Sequence, residues 1–424
     1  MPDFVRVASV TDLADGEMRQ VEADGTAVLL SRVDGEYHAC TAFCTHYGAP
    51  LATGVLEGTT VYCPWHHAAF DVCSGDLCEP PALDALRSFE VRIEGDDVLV
   101  RVPDDADEHG KGVDYRESDG ETPSMANVDA GDDRFFLLLG AGAAAEACAE
   151  ELRHLGYKGR LVMVTKETRA PYDRTKLSKG YLGGGAGDDA LRLRDADFYE
   201  THGIEVWTDR TVTGLDPESK AVSFRESEPV TYDAALVATG GTPRRLPIEG
   251  ADLDGVHLLR SWDDAQKLVS RVEGKQSVAI IGASFIGMES ASSLIARDLE
   301  VTVIGREETP FEGVLGADVG AVFQRAAEDK GVVFRLGASV ERIETVASDP
   351  HAETPRRLRV VLDAGALEAD VVLLGVGVAP ATGFLKGASF RREDGGLLTS
   401  GTLRVAPGLF AAGDVAAFPD TRLD

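Results

Sequence analysis

Four side chains in two short arms carry the most specific chemistry in this chain of 424 residues. The first arm is Cys44-Thr45-His46 and the second is Cys63-Pro64-Trp65-His66, with residues 47–62 between them. Each arm offers one thiolate and one imidazole. Such a set can hold a [2Fe-2S] cluster with both thiolates on one iron and both imidazoles on the other, or one tetrahedral zinc ion. A single residue separates Cys44 from His46. That spacing is unlike the usual zinc-finger arm, and the cluster is the better expectation.

Two small-residue turns offer a different chemistry, the binding of phosphate. In Gly140-Ala141-Gly142-Ala143-Ala144-Ala145, Gly140 permits a tight turn, Gly142 lets the backbone approach a pyrophosphate, and Ala145 lets helix and strand pack closely. The phosphates would sit on the helix N-terminus. The second turn, Gly282-Ala283-Ser284-Phe285-Ile286-Gly287, departs from this pattern at Ser284, where the middle glycine is expected. One such pattern is weak in an Ala-rich stretch, so the flanking elements decide.

Those elements are present twice. Arg134 to Leu139 reads as a buried parallel strand, followed by a helix to about Leu155 and a strand at Leu161 to Val164. Ser277 to Ile281 precedes the second turn, with a helix to Arg297 and a strand from Val301 to Ile304. Two such units imply two dinucleotides. An acid ending the second strand suits the ribose of NAD and an arginine suits the phosphate of NADP; Ile304-Gly305-Arg306-Glu307-Glu308 puts both side by side. The N-terminal hundred residues read differently, as short strands. Val28 to Arg32 and Tyr37 to Cys40 flank Asp34-Gly35, a tight-hairpin pair, and Val91 to Ile93 and Val98 to Val102 flank Gly95 in the same way. Between the two regions, residues 104–133 carry eleven acids against Lys111 and Arg116. A stretch so polar buries too little surface to fold, so it is expected to be a solvated linker.

With 42 basic and 72 acidic residues the net charge is -30, which excludes nucleic acid and anionic membranes as favoured partners and favours basic proteins. Only 10 of the basic residues are lysine, a balance expected of a salt-adapted cytoplasm or of an acidic mesophile. Beyond the two ligand cysteines, Cys40, Cys73, Cys78 and Cys148 form no disulfide framework. Residues Met1 to Arg6 lack a signal-peptide pattern, and no run of about eighteen apolar residues occurs. A cytoplasmic location is expected.

The C-x-H, spacer, C-P-W-H pattern resembles soluble Rieske ferredoxins. That resemblance implies Cys44, His46, Cys63 and His66 as ligands of a Rieske-type cluster on loops of a small all-β domain. Neither Ala49 nor Trp65 supplies the extra cysteines of respiratory Rieske loops. Past the first glycine turn, Pro171-Tyr172-Asp173-Arg174-Thr175-Lys176-Leu177-Ser178-Lys179, Leu236-Val237-Ala238-Thr239-Gly240-Gly241 and Leu409-Phe410-Ala411-Ala412-Gly413-Asp414 follow in order. From 134 to 424 the chain resembles the ferredoxin-reductase and apoptosis-inducing-factor-like branch of the FAD-dependent pyridine nucleotide-disulfide oxidoreductases.

The two resemblances imply a multidomain chain: an N-terminal all-β Rieske domain (1–103), the acidic linker (104–133), and an α/β flavoprotein with two Rossmann-like dinucleotide-binding domains. Its FAD domain would be 134–252 and 371–424, and its NAD(P)H domain 253–370. FAD is implied on Gly140, Gly142 and Ala145, with Glu167 near the adenosine ribose, Arg174 and Lys179 lining the flavin, and Asp414 on the ribityl chain. Ala238, Thr239, Gly240 and Gly413 are implied in the same cofactor site. NAD(P)H is implied at Gly282, Ser284, Gly287, Glu289, Arg306 and Gly377. The family places Lys179 and Glu289 beside the two reacting rings, where an ion pair would position the nicotinamide and tune flavin N5.

The expected activity is electron transfer from NAD(P)H, NADH by preference, through FAD to the chain's own cluster, then to an oxygenase, a cytochrome or another acceptor protein. A rival is a redox-sensing flavoprotein of the apoptosis-inducing-factor type, whose NADH-reduced state controls partner binding. Disulfide reduction is disfavoured, since residues 171–182 contain no cysteine. The family continues well beyond its Gly-Asp motif, whereas this sequence stops at Asp424; whether it is a fragment or has compromised FAD affinity and assembly stays open. Oligomeric state stays open.

Overall fold

The computed structural model describes residues 3–104, 125, 128–195, 197–346 and 357–419, in two compact units. The expected linker 104–133 lies largely outside the described residues. Its last six residues are an exception, and they belong to the second unit. The Asp129 N–H donates to the Lys158 carbonyl at 3.0 Å, and the Arg134 side chain, bonded to Asp132, holds that carboxyl down at about 2. The linker expectation was therefore too long at this end.

The first unit is all β. Val5–Ser9, Met18–Ala23, Thr26–Val33, Glu36–Thr41, Ser88–Glu94 and Asp97–Arg101 form one antiparallel sheet. Tight turns set its register: Asp34 and Gly35 have φ of 53° and 83°, the two positive values that a two-residue hairpin matching strand twist requires. Val55–Glu57, Thr60–Tyr62, Ala69–Asp71 and Leu77–Glu79 form a second, smaller antiparallel sheet. Leu51, Val61, Phe70 and Leu86 make the core against which Cys44 and Cys63 are packed.

The second unit contains two parallel sheets. In one, Phe135–Leu139 lies between Arg160–Val164 and Ala234–Val237, with Ile204–Trp207 and Leu409–Ala411 outside them. In the other, Ser277–Ile281 lies between Glu300–Ile304 and Val371–Leu374, flanked by Val333–Arg335 and Val256–His257. In both cases the chain leaves the central strand to one side and returns on the other. A crevice opens at such a switch point, at the carboxyl end of the strand, where the small-residue turns Gly140–Ala145 and Gly282–Gly287 stand.

Three differences from the sequence reading matter. Val371–Leu374 pairs with Ser277–Ile281, so the chain returns to the first sheet only after Leu374, not at 371. The crossing segments pair with each other, Gly241–Pro243 against Val378–Pro380. Finally, Leu177, Tyr181 and Leu182 share a core with Trp262, Met288, Ala291 and Leu294, so a segment placed in the FAD domain by its number is packed on the second sheet's helices. No helix among the described residues is long and apolar enough to cross a membrane.

Candidate functional site

The two ligand arms are built to one plan. The Cys44 N–H donates to the Ala49 carbonyl and the Gly48 N–H to the Cys44 carbonyl, both at 2.9 Å. The Cys63 N–H donates to the Ala68 carbonyl at 2.8 Å and the His67 N–H to the Cys63 carbonyl at 3.2 Å. The fourth residue after each cysteine is left-handed, Gly48 at φ 74° and His67 at φ 62°. Glycine adopts this freely, whereas a side chain there costs roughly 1–2 kcal/mol. The Thr45 hydroxyl donates to the Asp84 carbonyl at 2.6 Å and anchors the first arm.

This repeat brings like ligands together. Cys44 and Cys63 are 1% and 2% exposed. Burial and the facing Cys63 thiol push the Cys44 thiol up to about 11, against the opposing effect of the His46 and Tyr47 N–H groups that donate to it. The His46 and His66 rings lie 4.9 Å apart at 76°, and Tyr47 packs 4.0 Å from His46. His66 is exposed. Paired thiols beside paired imidazoles fit a two-iron cluster better than one zinc ion.

At the first parallel sheet a cleft of about 950 Å³ opens, lined by Gly140, Gly142, Glu167, Arg174, Ala238, Thr239, Gly240, Gly413 and Asp414. Its volume falls in the range of small-molecule sites, ~300–1,000 Å³. Gly140 has φ 132° and a Cβ there would lie 2.1 Å from the Ala238 carbonyl oxygen, while a Cβ on Gly142 would meet nothing within 4 Å. The first glycine is thus demanded by the fold and the second leaves open space for a ligand. Ala145, in the first turn of the Ala143–His154 helix, is fully buried. The sequence-assigned pair Glu167 and Arg174 are bonded to each other at 2.6 Å, and the Tyr172 hydroxyl donates to Glu167 at 2.6 Å. Asp414 accepts from Arg260 at 3.0 Å. Arg260 was missed because nothing local marks an arginine before a helix cap as a cleft residue.

At the second sheet, Gly282 has φ 118° and a Cβ there would lie 2.3 Å from the Gly375 carbonyl oxygen. A Cβ on Gly287 would lie 1.9 Å from the Gly282 carbonyl oxygen, so this position does the close-packing work of Ala145 more severely. Ser284 stands at the cap of the Phe285–Ile295 helix without capping it. Gly377 has φ 91° and open space around its missing Cβ. Arg306 is exposed, and Glu307 Oε2 lies 3.8 Å from where a Gly305 Cβ would be, beside Ala283 of the turn.

Lys179 lies outside the cleft lining and meets Glu289 of the Phe285–Ile295 helix, with Nζ 3.2 Å from Oε1. Lys179 is 48% exposed, so the pair stabilises the fold by no more than ~1 kcal/mol. Its importance is positional, because it joins residues 110 apart in sequence at the junction of the two nucleotide units. Ser178, which donates to Glu289 Oε2 at 2.6 Å, was read only as part of the motif around Lys179.

Residues 136–423 match the pyridine nucleotide-disulphide oxidoreductase family and residues 3–90 match the Rieske [2Fe-2S] domain. These families imply FAD, NAD(P)H and a [2Fe-2S] cluster as cofactors. Apoptosis-inducing factor 3 of Mus musculus is 36% identical over 416 residues, 97% of this chain, which spans 66% of that protein's length. The ferredoxin–NAD(+) reductase component of the biphenyl dioxygenase system of Paraburkholderia xenovorans (strain LB400) is 34% identical over 284 residues, covering 67% of this chain and 68% of that one. The crystal structure of the ferredoxin reductase for the CYP199A2 system from Rhodopseudomonas palustris aligns with a TM-score of 0.63 at 29% identity, over 69% of this chain and 70% of that one. With its second unit matched almost end to end, the chain belongs to the pyridine nucleotide-disulphide oxidoreductase family and carries a Rieske [2Fe-2S] domain at its N-terminus.

Proposed function

We propose that this chain is an NAD(P)H-dependent oxidoreductase that passes electrons through FAD to its own Rieske cluster and from there to a separate acceptor protein, an oxygenase or a cytochrome. The observation that carries the reading is the 3.2 Å contact of Lys179 with Glu289, which joins a motif of the first nucleotide unit to the helix that opens the second. When bound, FAD takes a hydride's electron pair and can release electrons singly, as nicotinamide cannot, and the cluster carries one at a time.

The residues divide the work. Gly140, Gly142 and the helix start at Ala143 would hold the FAD pyrophosphate, with Glu167 and Asp414 accepting from sugar hydroxyls. Gly282, by its tight turn, and Gly287, by letting the helix pack closely on that turn, would set the start of the Phe285–Ile295 helix against the NAD(P)H pyrophosphate. Glu307 beside the turn favours the free ribose of NADH, and Arg306 remains the group that would take a 2′-phosphate. Glu289 and Lys179 would orient the nicotinamide against the flavin and place an ammonium beside it. Cys44, Cys63, His46 and His66 would ligate the cluster, with the exposed His66 as its face to the acceptor. A cytoplasmic location and a basic or neutral acceptor fit the charge of -30.

The test is anaerobic titration with NADH followed by visible absorbance and EPR. Flavin bleaching together with a Rieske-type EPR signal is expected; bleaching with no such signal refutes the electron path. Lys179→Ala is expected to slow bleaching, and an unchanged rate refutes its assigned place.

A second reading is a redox sensor. It is favoured by the exposed apolar side chains beside the second turn, Phe285 at 51%, Val322 at 56% and Phe323 at 46%, which suit a partner. Rapid multiple turnover with an artificial one-electron acceptor favours the enzyme, and slow turnover with a long-lived reduced state favours the sensor.

A further inference from the structure

One face of the Phe285–Ile295 helix, continued just past its end, grips the segment that carries Lys179. Glu289, Ser293 and Arg297 follow at intervals of four residues, which puts them on one side. Glu289 Oε2 accepts from the Ser178 hydroxyl at 2.6 Å. The Ser293 hydroxyl lies 2.7 Å from the Ser178 carbonyl and 3.1 Å from the Lys179 carbonyl, both of which it can serve as donor. Arg297 donates to the Leu182 carbonyl. The segment held this way, Leu177–Tyr181, is kinked at Lys179, which leaves helical backbone at φ −111° and ψ −112°.

The contacts close a ring. Glu289 holds the side chain of Ser178, Ser293 holds its backbone, and both come from one helix whose first residues belong to the second glycine turn. Without the ring, Lys179 Nζ keeps its bond to the Thr175 carbonyl at 3.2 Å, but the Glu289 carboxylate is free to turn away from it. With it, one carboxylate oxygen is fixed by Ser178, and the other is left facing Nζ. Ser178 is 2% exposed, so its hydroxyl has no competing water.

We propose that Ser178 and Ser293 are positioning residues. Their hydroxyls lock the Lys179–Glu289 pair to the helix that begins at the NAD(P)H turn, so the placement of the Lys179 ammonium is set by the nucleotide-binding helix itself. This rests on the roles given to Lys179 and Glu289 under Proposed function.

The test uses the flavin-loaded full chain and two readouts: the rate of flavin bleaching by NADH, and the change in the flavin absorption spectrum on adding NAD⁺ without turnover. Ser293→Ala and Ser178→Ala are each expected to slow bleaching about five-fold, the order of one net hydrogen bond, and to diminish the NAD⁺-induced change. Ser293→Thr keeps the hydroxyl and is expected to restore both. In a Lys179→Ala background each alanine variant should add a smaller loss than it causes alone, since only the Glu289 half of the pair is left to misplace. Wild-type behaviour of both serine variants beside an impaired Lys179→Ala overturns the inference alone, as does an equal loss with and without Lys179, which marks a packing effect. Wild-type bleaching by Lys179→Ala overturns the reading and the inference together. Should Ser293→Ala fail to fold, Ser178→Ala and its rescue by Ser178→Thr decide by the same criteria.

Discussion

Arg174 donates to the Glu167 carboxylate at 2.6 Å while its guanidinium lies 4.6 Å from the centre of the Tyr172 ring. Two residues that the motif assigns to different parts of a flavin nucleotide are therefore one bonded unit on the cleft wall. Their side chains are 26% and 19% exposed, so removing the cation strands a half-buried carboxylate, a cost of about 1–3 kcal/mol. Arg174→Ala is expected to weaken FAD retention about ten-fold or more, and Glu167→Gln less, since the amide still accepts from Tyr172. The double variant should lose less than the sum. Flavin-to-protein ratio after gel filtration measures this, and full occupancy in Arg174→Ala would count against the assignment.

The two glycine turns make opposite predictions. A Cβ on Gly142 meets nothing within 4 Å, whereas one on Gly287 comes within 1.9 Å of the Gly282 carbonyl oxygen. Gly142→Ala should leave the thermal stability of the flavin-free protein unchanged and still lose FAD, because the methyl fills space meant for phosphate. Gly287→Ala must displace helix from strand, so it should destabilise the second unit by about 1–3 kcal/mol and raise the Kd for NADH while FAD stays bound. Equal effects of the two substitutions on stability would show that the turns do not differ in this way.

The cluster loops allow a cleaner separation. They belong to a compact unit of their own, and the imidazoles sit together while the thiols face each other. Cys63→Ser and His66→Ala should each abolish the Rieske-type EPR signal of the chemically reduced protein and leave NADH bleaching of the flavin at its normal rate. Loss of bleaching in either variant would mean that the cluster ligands also support the flavoprotein.

How far the sequence could be read depends on the range of the interactions. Asp34-Gly35 and the two strand–turn–helix runs were legible because a hairpin or a glycine turn is decided by neighbours. Val371–Leu374 was misplaced because four apolar residues are equally suited to either parallel sheet, and only pairing decides between them. Nothing local marks Arg153, which is fully buried, its guanidinium donating to the carbonyls of Tyr157, Gly159, His202 and Gly203. Family order supplied Lys179 and Glu289, but Ser178, Ser293 and Arg260 make their contacts with residues more than a hundred positions away, which no local spacing encodes.

Asp370 gives the flavoprotein a pH dependence whose sign can be worked out. Its Oδ2 accepts from the Gln276 and Ser277 N–H groups at 3.0 Å each and from the Ser277 hydroxyl at 3.1 Å, and Arg357 lies 3.5 Å from Oδ1. Burial pushes this carboxyl up, but those donors and the guanidinium outweigh it and hold it below the usual carboxylate range. A group depressed in the folded state stabilises fully above its unfolded value of about 3.9, and that stability drains away as pH falls through the folded value. Asp370→Ala removes the acceptor at the start of the Ser277–Ile281 strand and should cost about 2 kcal/mol at pH 7. The difference from wild type in urea unfolding should hold steady down to about pH 5 and shrink below about pH 4. A gap that is constant to pH 3, or that widens on acidification, would mean that the ionised carboxylate is not what ties Val371–Leu374 to the central strand.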